Sequence, residues 1–397
     1  MSELNASNLR KEQGNEGPDL VGTTELTSPY YMVPPSGTTE ERPENPEKGT
    51  LRFNTDSGTL EYFKGDTIGW ESINRTTPNL GGLTNSAGGT GTRGLFAGGY
   101  IAGSPVNPAF NNVDAITIET LGNTHDFNNL ATGVNGASNF SSRTRCITAG
   151  GRTVSNTGSN TDLIQYCTFS TTGDYVDSGG DLTTANAYSS ACSSSTRGII
   201  FGGGNGYVNT IQYVTMASLG DAVDFGTDIH TPKGYVYTMN SSTRGIVGGG
   251  VYCCPGAYYN TIEYVTISTT GTISDFGDMT TTRYEGGQAS SATRGLVIAG
   301  YGPGYSNTIE YLTMATLGNT VDFGDLTNLN GTGKYSACSK TRGVVGGGYI
   351  APGTSYGNVL EYIQIATTGN GTDFGDFINF GRRSAGQGGA SNNHGGL

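Results

Sequence analysis

The sequence predicts an all-β fold, a β-propeller, and three observations predict it. One unit of about 50 residues is written six times in tandem. Each unit resolves into four short runs of alternating apolar and polar residues, such as Ile211, Tyr213 and Thr215, bounded by Gly, Asn, Asp and Ser. Glycine supplies 66 of 397 residues, far above its usual share of roughly 7%. Gly and β-branched Thr both weaken helices, and apolar residues at helical spacing are missing.

The first mark of the unit is a Thr-Arg-Gly turn running into an apolar-glycine strand, as in TRGIIFGGG at Thr196 and TRGVVGGG at Thr341. It begins at Thr92, Thr144, Thr196, Thr243, Thr293 and Thr341, spaced by 52, 52, 47, 50 and 48 residues. The second mark, after a loop of variable length, is a strand such as NTIEYVTISTTG. The third is DFGD or a relative, at Asp126, Asp177, Asp224, Asp275, Asp322 and Asp373, and a Ser-rich strand such as KYSACS leads into the next unit. Four strands in about 50 residues make one propeller blade. The order of marks is similar to kelch repeats; the kelch Trp is absent, and the Phe of DFGD stands near its place. Paired glycines let neighbouring backbones approach closely.

The two ends decide the number of blades. Taking the Tyr of Ile-Glu-Tyr as a ruler, Tyr62, Ala115, Tyr166, Tyr213, Tyr264, Tyr311 and Tyr362 are separated by 53, 51, 47, 51, 47 and 51 residues. The segment from Gly58 therefore keeps the period. LRFNT, TLEYF and WESIN read as three strands of a seventh blade, completed by Ser384 to Ser391 and closed by both termini, which leaves no open sheet edge. The alternative is six blades plus a small N-terminal β-module. The predicted organisation is an extended arm over 1–47 and a propeller over 48–397, with 48–80 and 384–397 forming the closing blade and 81–383 six complete repeats. The arm holds Pro18, Pro29, Pro34, Pro35, Pro43 and Pro46, many acids and no apolar period.

The combination of Pro-rich arm, the GTLRFNTDSGTLEYFKGDTIGWESI segment and tandem TRGVVGGG and DFGDLT repeats resembles structural fibre or appendage proteins of tailed bacteriophages, particularly those infecting marine cyanobacteria. The resemblance implies a virion protein, made in the host cytoplasm and oligomeric in the particle. Its arm would bind other virion proteins, and Pro29, Tyr30, Tyr31, Met32, Val33 and Pro34 are the candidates for that anchor. It carries over no catalytic residue.

Net charge is −12 and no basic stripe exists, so nucleic acid is a poor partner. No apolar stretch reaches membrane-span length, and the N-terminus lacks the apolar core of a signal peptide. Cys146, Cys167, Cys192, Cys253, Cys254 and Cys338 form no CxxC pair and read as small half-buried strand residues. DFG recurs in every unit, which makes it scaffold, with its Asp capping a turn and its Phe packing between sheets. The repeated Arg of TRG reads as a bridge between blades. His125, His230 and His394 fall in different units, so no nucleophile-base set emerges and no cofactor or metal is expected. The expectation is a protein that is not an enzyme; the lesser alternative is a polysaccharide hydrolase using two carboxylates from Asp181, Asp228, Asp278, Asp325 and Asp376 in the loops of one face.

The loops after Gly-Gly carry the aromatic residues Tyr100, Phe110, Tyr207, Tyr252 and Tyr258, and further round the chain Tyr259, Tyr301, Tyr305, Tyr349 and Tyr356. Strand order puts these loops on the same face as those following DFGD. Exposed Tyr gives flat amphipathic area at little entropy cost, which suits either a host-surface glycan or docking on another virion protein.

Overall fold

The computed structural model describes residues 34–56, 59–67, 69–72, 92–100, 109–153, 159–204, 206–252, 256–327, 332–350, 356–378 and 389–397. Every regular element among them is a β-strand. The chain divides into two compact units, Met1–Thr76 and Thr77–Leu397.

The first unit contains one four-stranded sheet, ordered β1 (Ser36–Gly37), β2 (Leu51–Asn54), β3 (Thr59–Phe63) and β4 (Trp70–Ser72). β1 runs parallel to β2, and the other pairs are antiparallel. Pro34 and Pro35 favour extended backbone, and the Phe53 N–H donates to the Pro35 carbonyl at 2.8 Å. The arm expected over 1–47 therefore gives way to this sheet by Ser36. Of the anchor candidates only Pro34 is among the described residues; Pro29, Tyr30, Tyr31, Met32 and Val33 lie outside them. The centre of the sheet is ionic. Glu61, fully buried, accepts from Arg42 Nη2 at 2.6 Å, Arg52 Nη1 at 3.3 Å and Asn54 Nδ2 at 3.1 Å. Trp70 packs on Phe63 and lies within 6 Å of both guanidinium groups.

The second unit builds six four-stranded antiparallel sheets from its described residues. The first holds β5 (Arg93–Ala97), β6 (Asn112–Thr117) and β7 (His125–Asn129). The second holds β8 (Ser138–Ser141), β9 (Arg145–Ala149), β10 (Leu163–Thr168) and β11 (Val176–Asp181). The third comprises β12 (Ser190–Ser193), β13 (Arg197–Gly203), β14 (Val208–Thr215) and β15 (Val223–Asp228). In the fourth, β16 (Tyr237–Asn240) and β17 (Arg244–Gly248) are followed by a small ribbon of β18 (Val251–Tyr252) and β19 (Ala257–Tyr258), then by β20 (Thr261–Thr266) and β21 (Ile273–Asp278). The fifth has β22 (Gly287–Ser290), β23 (Arg294–Tyr301), β24 (Tyr305–Thr313) and β25 (Val321–Asp325). The sixth has β26 (Tyr335–Cys338), β27 (Arg342–Gly346), β28 (Val359–Gln364) and β29 (Thr372–Asp376).

The last strand, β30 (Gly389–Ser391), pairs with β5 and completes the first sheet. This corrects the expected strand exchange: the C-terminal segment joins the first TRG repeat, and Ser36–Gly37 fills the fourth place in the N-terminal sheet. The physical reason is register. Each Ser-rich strand pairs with the TRG strand that follows it in the repeat, as Ser290 does with Gly295, and Ser391 meets Gly94 in the same way.

The core lies between sheets, in clusters each drawn from two neighbours. One combines Phe140, Ile147 and Ile164 with Ile200 and Val214; another joins Val344, Leu360 and Phe374 of the sixth sheet to Phe96 and Ile116 of the first. Hydrogen bonds repeat the handover at three radii. On the outside, the DFGD glycine sits at a bulge against the next repeat. Gly277 has φ +145°, and a Cβ there would lie 2.5 Å from the Gly318 carbonyl oxygen, while the Gly318 N–H donates to the Phe276 carbonyl at 2.8 Å. Side chains larger than hydrogen are thus excluded.

Midway, each TRG arginine donates to a carbonyl of the next sheet; five of them lie over the central-strand Tyr of their own sheet, and Arg93, whose sheet has Ala115 in that place, lies over Phe127 of β7. Arg197 is 4.6 Å from the Tyr213 centroid and reaches the Ile267 carbonyl at 2.9 Å. Arg342 covers Tyr362 at 4.4 Å and reaches the Ile118 carbonyl, back in the first sheet, at 3.1 Å. The expected bridge is made to carbonyls, combining cation–π attraction with a charge-assisted bond.

Innermost, Ser193 Oγ donates to the Ser141 carbonyl at 2.8 Å, Ser141 Oγ to that of Ser391 at 2.6 Å, and Ser391 Oγ to that of Cys338. The tail after β30 turns across these strands. His394 is buried, with Nδ1 3.1 Å from the Gly396 N–H donor and 3.3 Å from Asn240 Nδ2, and Nε2 3.3 Å from the Ser141 carbonyl. Two N–H donors at Nδ1 place the imidazole proton on Nε2 and keep the ring neutral. Burial pulls its pKa down to about 4.

Candidate ligand-binding face

The face is built upward from a backbone lip. Gly136, Tyr188, Tyr235, Glu285 and Gly333 stand just before the innermost strands of consecutive repeats, all in the left-handed region, with φ of 68°, 61°, 57°, 60° and 72°. The Tyr188 N–H donates to the Gly136 carbonyl at 2.7 Å, Tyr235 to Tyr188 at 2.8 Å, Glu285 to Tyr235 at 3.0 Å, and Gly333 to Glu285 at 2.9 Å. A non-glycine residue in this region costs on the order of 1–3 kcal/mol. The chain of hydrogen bonds holds three of them there and fixes the starting directions of two Tyr and one Glu side chain.

Tyrosine rings continue outward from the lip without a break. Tyr188 stacks on Tyr235 at 4.7 Å, Tyr235 meets Tyr284 edge-on at 5.9 Å, and Tyr284 stacks on Tyr258 at 5.5 Å. Tyr301 stands edge-on to Tyr258, Tyr284 and Tyr305. Tyr305 stacks on Tyr349 at 5.9 Å, Tyr349 touches Tyr356, and Tyr356 touches Tyr100. Edge-to-face and offset-stacked geometries are the favoured ones for aromatic pairs. Two open clefts flank the Tyr258–Tyr284 pair. One, of about 410 Å³, lies toward Tyr301, Tyr305, Thr332 and Tyr349. The other, of about 370 Å³, lies toward Tyr207, Tyr235 and Val251. Glu285 lines both.

Beneath the lip the central strands carry buried acids with buried cations. Glu263 faces Lys233 Nζ at 3.3 Å and the His230 ring. Glu310 pairs with Arg283, whose Nη1 also donates to the Thr308 carbonyl at 2.9 Å. Burial lowers the Lys233 pKa, and the Glu263 charge restores part of the loss. Lys334, equally buried, is pulled down to about 8 against the opposing attraction of Glu361. Arg283 Nη2 faces Glu310 in the ion pair, so Glu263 and Glu310 are both paired with cations inside the fold.

The expected residues are sorted by this geometry. Tyr258, Tyr301, Tyr305, Tyr349, Tyr356 and Tyr100 come together in the network, and Tyr207 pairs with Tyr252 at 5.4 Å beside the second cleft. Tyr259 turns inward over Lys233 Nζ, 5.8 Å from its ring centroid. Phe110 is half-buried, and its N–H donates to the Gly99 carbonyl at 2.9 Å. The contact of Tyr258 with Tyr284 joins a Gly-Gly loop to a loop that follows DFGD, so the two loop families share one face as strand order requires.

Tyr188, Tyr235, Tyr284 and Glu285 were absent from the sequence-based set. The signal was present in NAYSS, KGYVY and TRYEGG, where a Tyr or Glu precedes the Ser-rich strand at one position. Their left-handed backbone is the part that only coordinates reveal. Among the described residues no group of three His, Cys, Asp or Glu converges as a metal site. His125 lies in β7, His230 in the loop after β15 and His394 in the tail after β30. A scan against protein-family models finds no match for this chain, and neither does a search of curated proteins.

Proposed function

We propose that this chain is a non-enzymatic phage virion protein, a fibre or appendage component that attaches through its N-terminal arm and presents a propeller to the host surface. In this reading the six sheets are the blades of a six-bladed, kelch-like propeller, closed by β30 and not by a seventh blade. The ligand is a host-surface glycan, held on the tyrosine face. The observation that carries the reading is the unbroken tyrosine network around two clefts: aromatic area gathered from separate repeats on one face is expensive to leave in water and suits a partner with both apolar faces and hydroxyls. The repeat and arm motifs that resemble phage appendage proteins support the virion setting.

Adsorption of the fluorescently labelled full-length chain to host cells tests the proposal. Binding that is abolished by periodate oxidation of the cells and retained after protease treatment is the expected result. Binding to purified virions alone, with none to cells, replaces it with an architectural role in head, neck or tail.

A further inference from the structure

We infer that the tyrosine face binds a neutral oligosaccharide across two contiguous subsites, so that the recognised unit is a chain of sugars and not a single residue. This rests on the glycan reading above and deepens it. The two clefts share a wall that includes the stacked Tyr258 and Tyr284 rings, 5.5 Å apart and inclined by 17°, and Tyr258, Tyr284 and Glu285 line both clefts. A linear ligand that fills one cleft and crosses this wall enters the other. The outer limits are Tyr349 on one side and Tyr207 on the other, contributed by loops of the sixth and third sheets.

Three features select the chemistry. The rings are braced against one another before any ligand arrives, Tyr301 alone being edge-on to three neighbours. Binding therefore immobilises little protein. The larger cleft is lined mainly by polar atoms, among five tyrosines, Thr332 and Glu285, so it offers donors and acceptors to a polyhydroxylated ligand. Among the described residues no Lys, Arg or His lines either cleft, so an acidic sugar would find no cationic partner there. Each cleft falls within the size range of small-molecule sites.

Calorimetric titration of the full-length chain decides it, using neutral glucose, mannose and galactose oligomers of one to six units and uronic acid oligomers of the same lengths. The expected result is an affinity that rises about tenfold or more between one unit and three in at least one neutral series, with no binding of the acidic series. Tyr258→Ala should weaken every ligand. Tyr349→Ala and Tyr207→Ala should each lower the gain with length, and only the one that lines the cleft occupied by a single unit should also weaken the shortest ligand. Tyr258→Phe, Tyr349→Phe and Tyr207→Phe, which keep the ring, separate stacking from hydroxyl bonding, and unchanged melting temperatures certify the fold of each variant. Equal affinity for one unit and six, a gain indifferent to both outer tyrosines, or preference for uronic acids overturns the two-subsite inference and leaves glycan binding standing. Failure of every saccharide, with adsorption to host cells intact, overturns the glycan reading itself.

Discussion

The N-terminal sheet and the six sheets of the larger unit share a strand signature and differ in how each sheet ends. Leu60-Glu61-Tyr62 and Ile309-Glu310-Tyr311 occupy the same place in their sheets, with the Glu buried in both. Glu61 is neutralised from within its own unit by Arg42 and Arg52. Glu310, besides pairing with Arg283, accepts the Thr280 N–H from the loop that leaves the fourth sheet, at 3.1 Å. The same acid is thus a local ionic centre in one unit and a tie between repeats in the other. Likeness of one strand therefore does not say whether a sheet belongs to the repeat array. Membership depends on the TRG arginine, the DFGD glycine and the Ser-rich strand, which the N-terminal sheet lacks.

The largest effect that separates the two units is expected from removing residues 389–397. The first sheet of the repeat unit then loses β30 and β5 gains an open edge. Calorimetry should show loss of the cooperative transition of the repeat unit, with the N-terminal sheet unchanged; a transition of unaltered midpoint would make β30 dispensable. Next come the two acids. Glu310→Ala leaves the buried Arg283 charge unpaired and should cost about 3–5 kcal/mol in the repeat unit. Glu61→Ala should raise protease sensitivity only within residues 34–72. If both variants shift the same transition by the same amount, the distinction between local centre and inter-repeat tie fails.

Acid should also separate the units. His394 is neutral in the fold with its pKa lowered from 6.5 to about 4, so its contribution is complete above pH 6.5 and is lost as the pH falls through 4. The unfolded chain takes up the proton first, and the loss amounts to on the order of 3 kcal/mol. The N-terminal sheet should respond at lower pH, because the Arg42 hydrogen bond holds the Glu61 carboxyl below its ordinary 4.5. Denaturant titrations between pH 7 and 4 check this, and His394→Gln should flatten the slope of the repeat unit alone. The smallest effect is Arg197→Lys, which keeps the charge but loses the planar stacking on Tyr213. About 1 kcal/mol is expected, and no loss at all would reduce the arginine bridge to a surface ornament.

Much of the fold was legible because repetition multiplies a weak signal. A single TRGIVGGG or DFGD says little; six at nearly constant spacing define four strands per unit, the turn glycines and the bridging arginines. The candidate face was legible only in part. The loops after Gly-Gly announce their Tyr by composition, whereas Tyr188, Tyr235 and Glu285 depend on a left-handed backbone imposed by hydrogen bonds from neighbouring repeats. Tyr259 shows the converse. It is a neighbour of Tyr258 in sequence, yet just past the end of β19 its ring lies over Lys233 Nζ and it is not among the residues that line the clefts.

The sequence by itself determined the β class, the six repeats, the positions of their glycines and the face on which the variable loops gather. These follow from local preferences and period, which each segment carries wherever it lies. Tertiary structure alone decided that Ser391 pairs with Gly94, that Ser36–Gly37 completes the N-terminal sheet, and that His394 is buried against the inner strands. Those outcomes hinge on contacts between segments far apart in the chain, 297 residues in the case of Ser391 and Gly94. There, burial and the pairing of exposed strand edges select one partner from several whose local sequences are nearly equivalent.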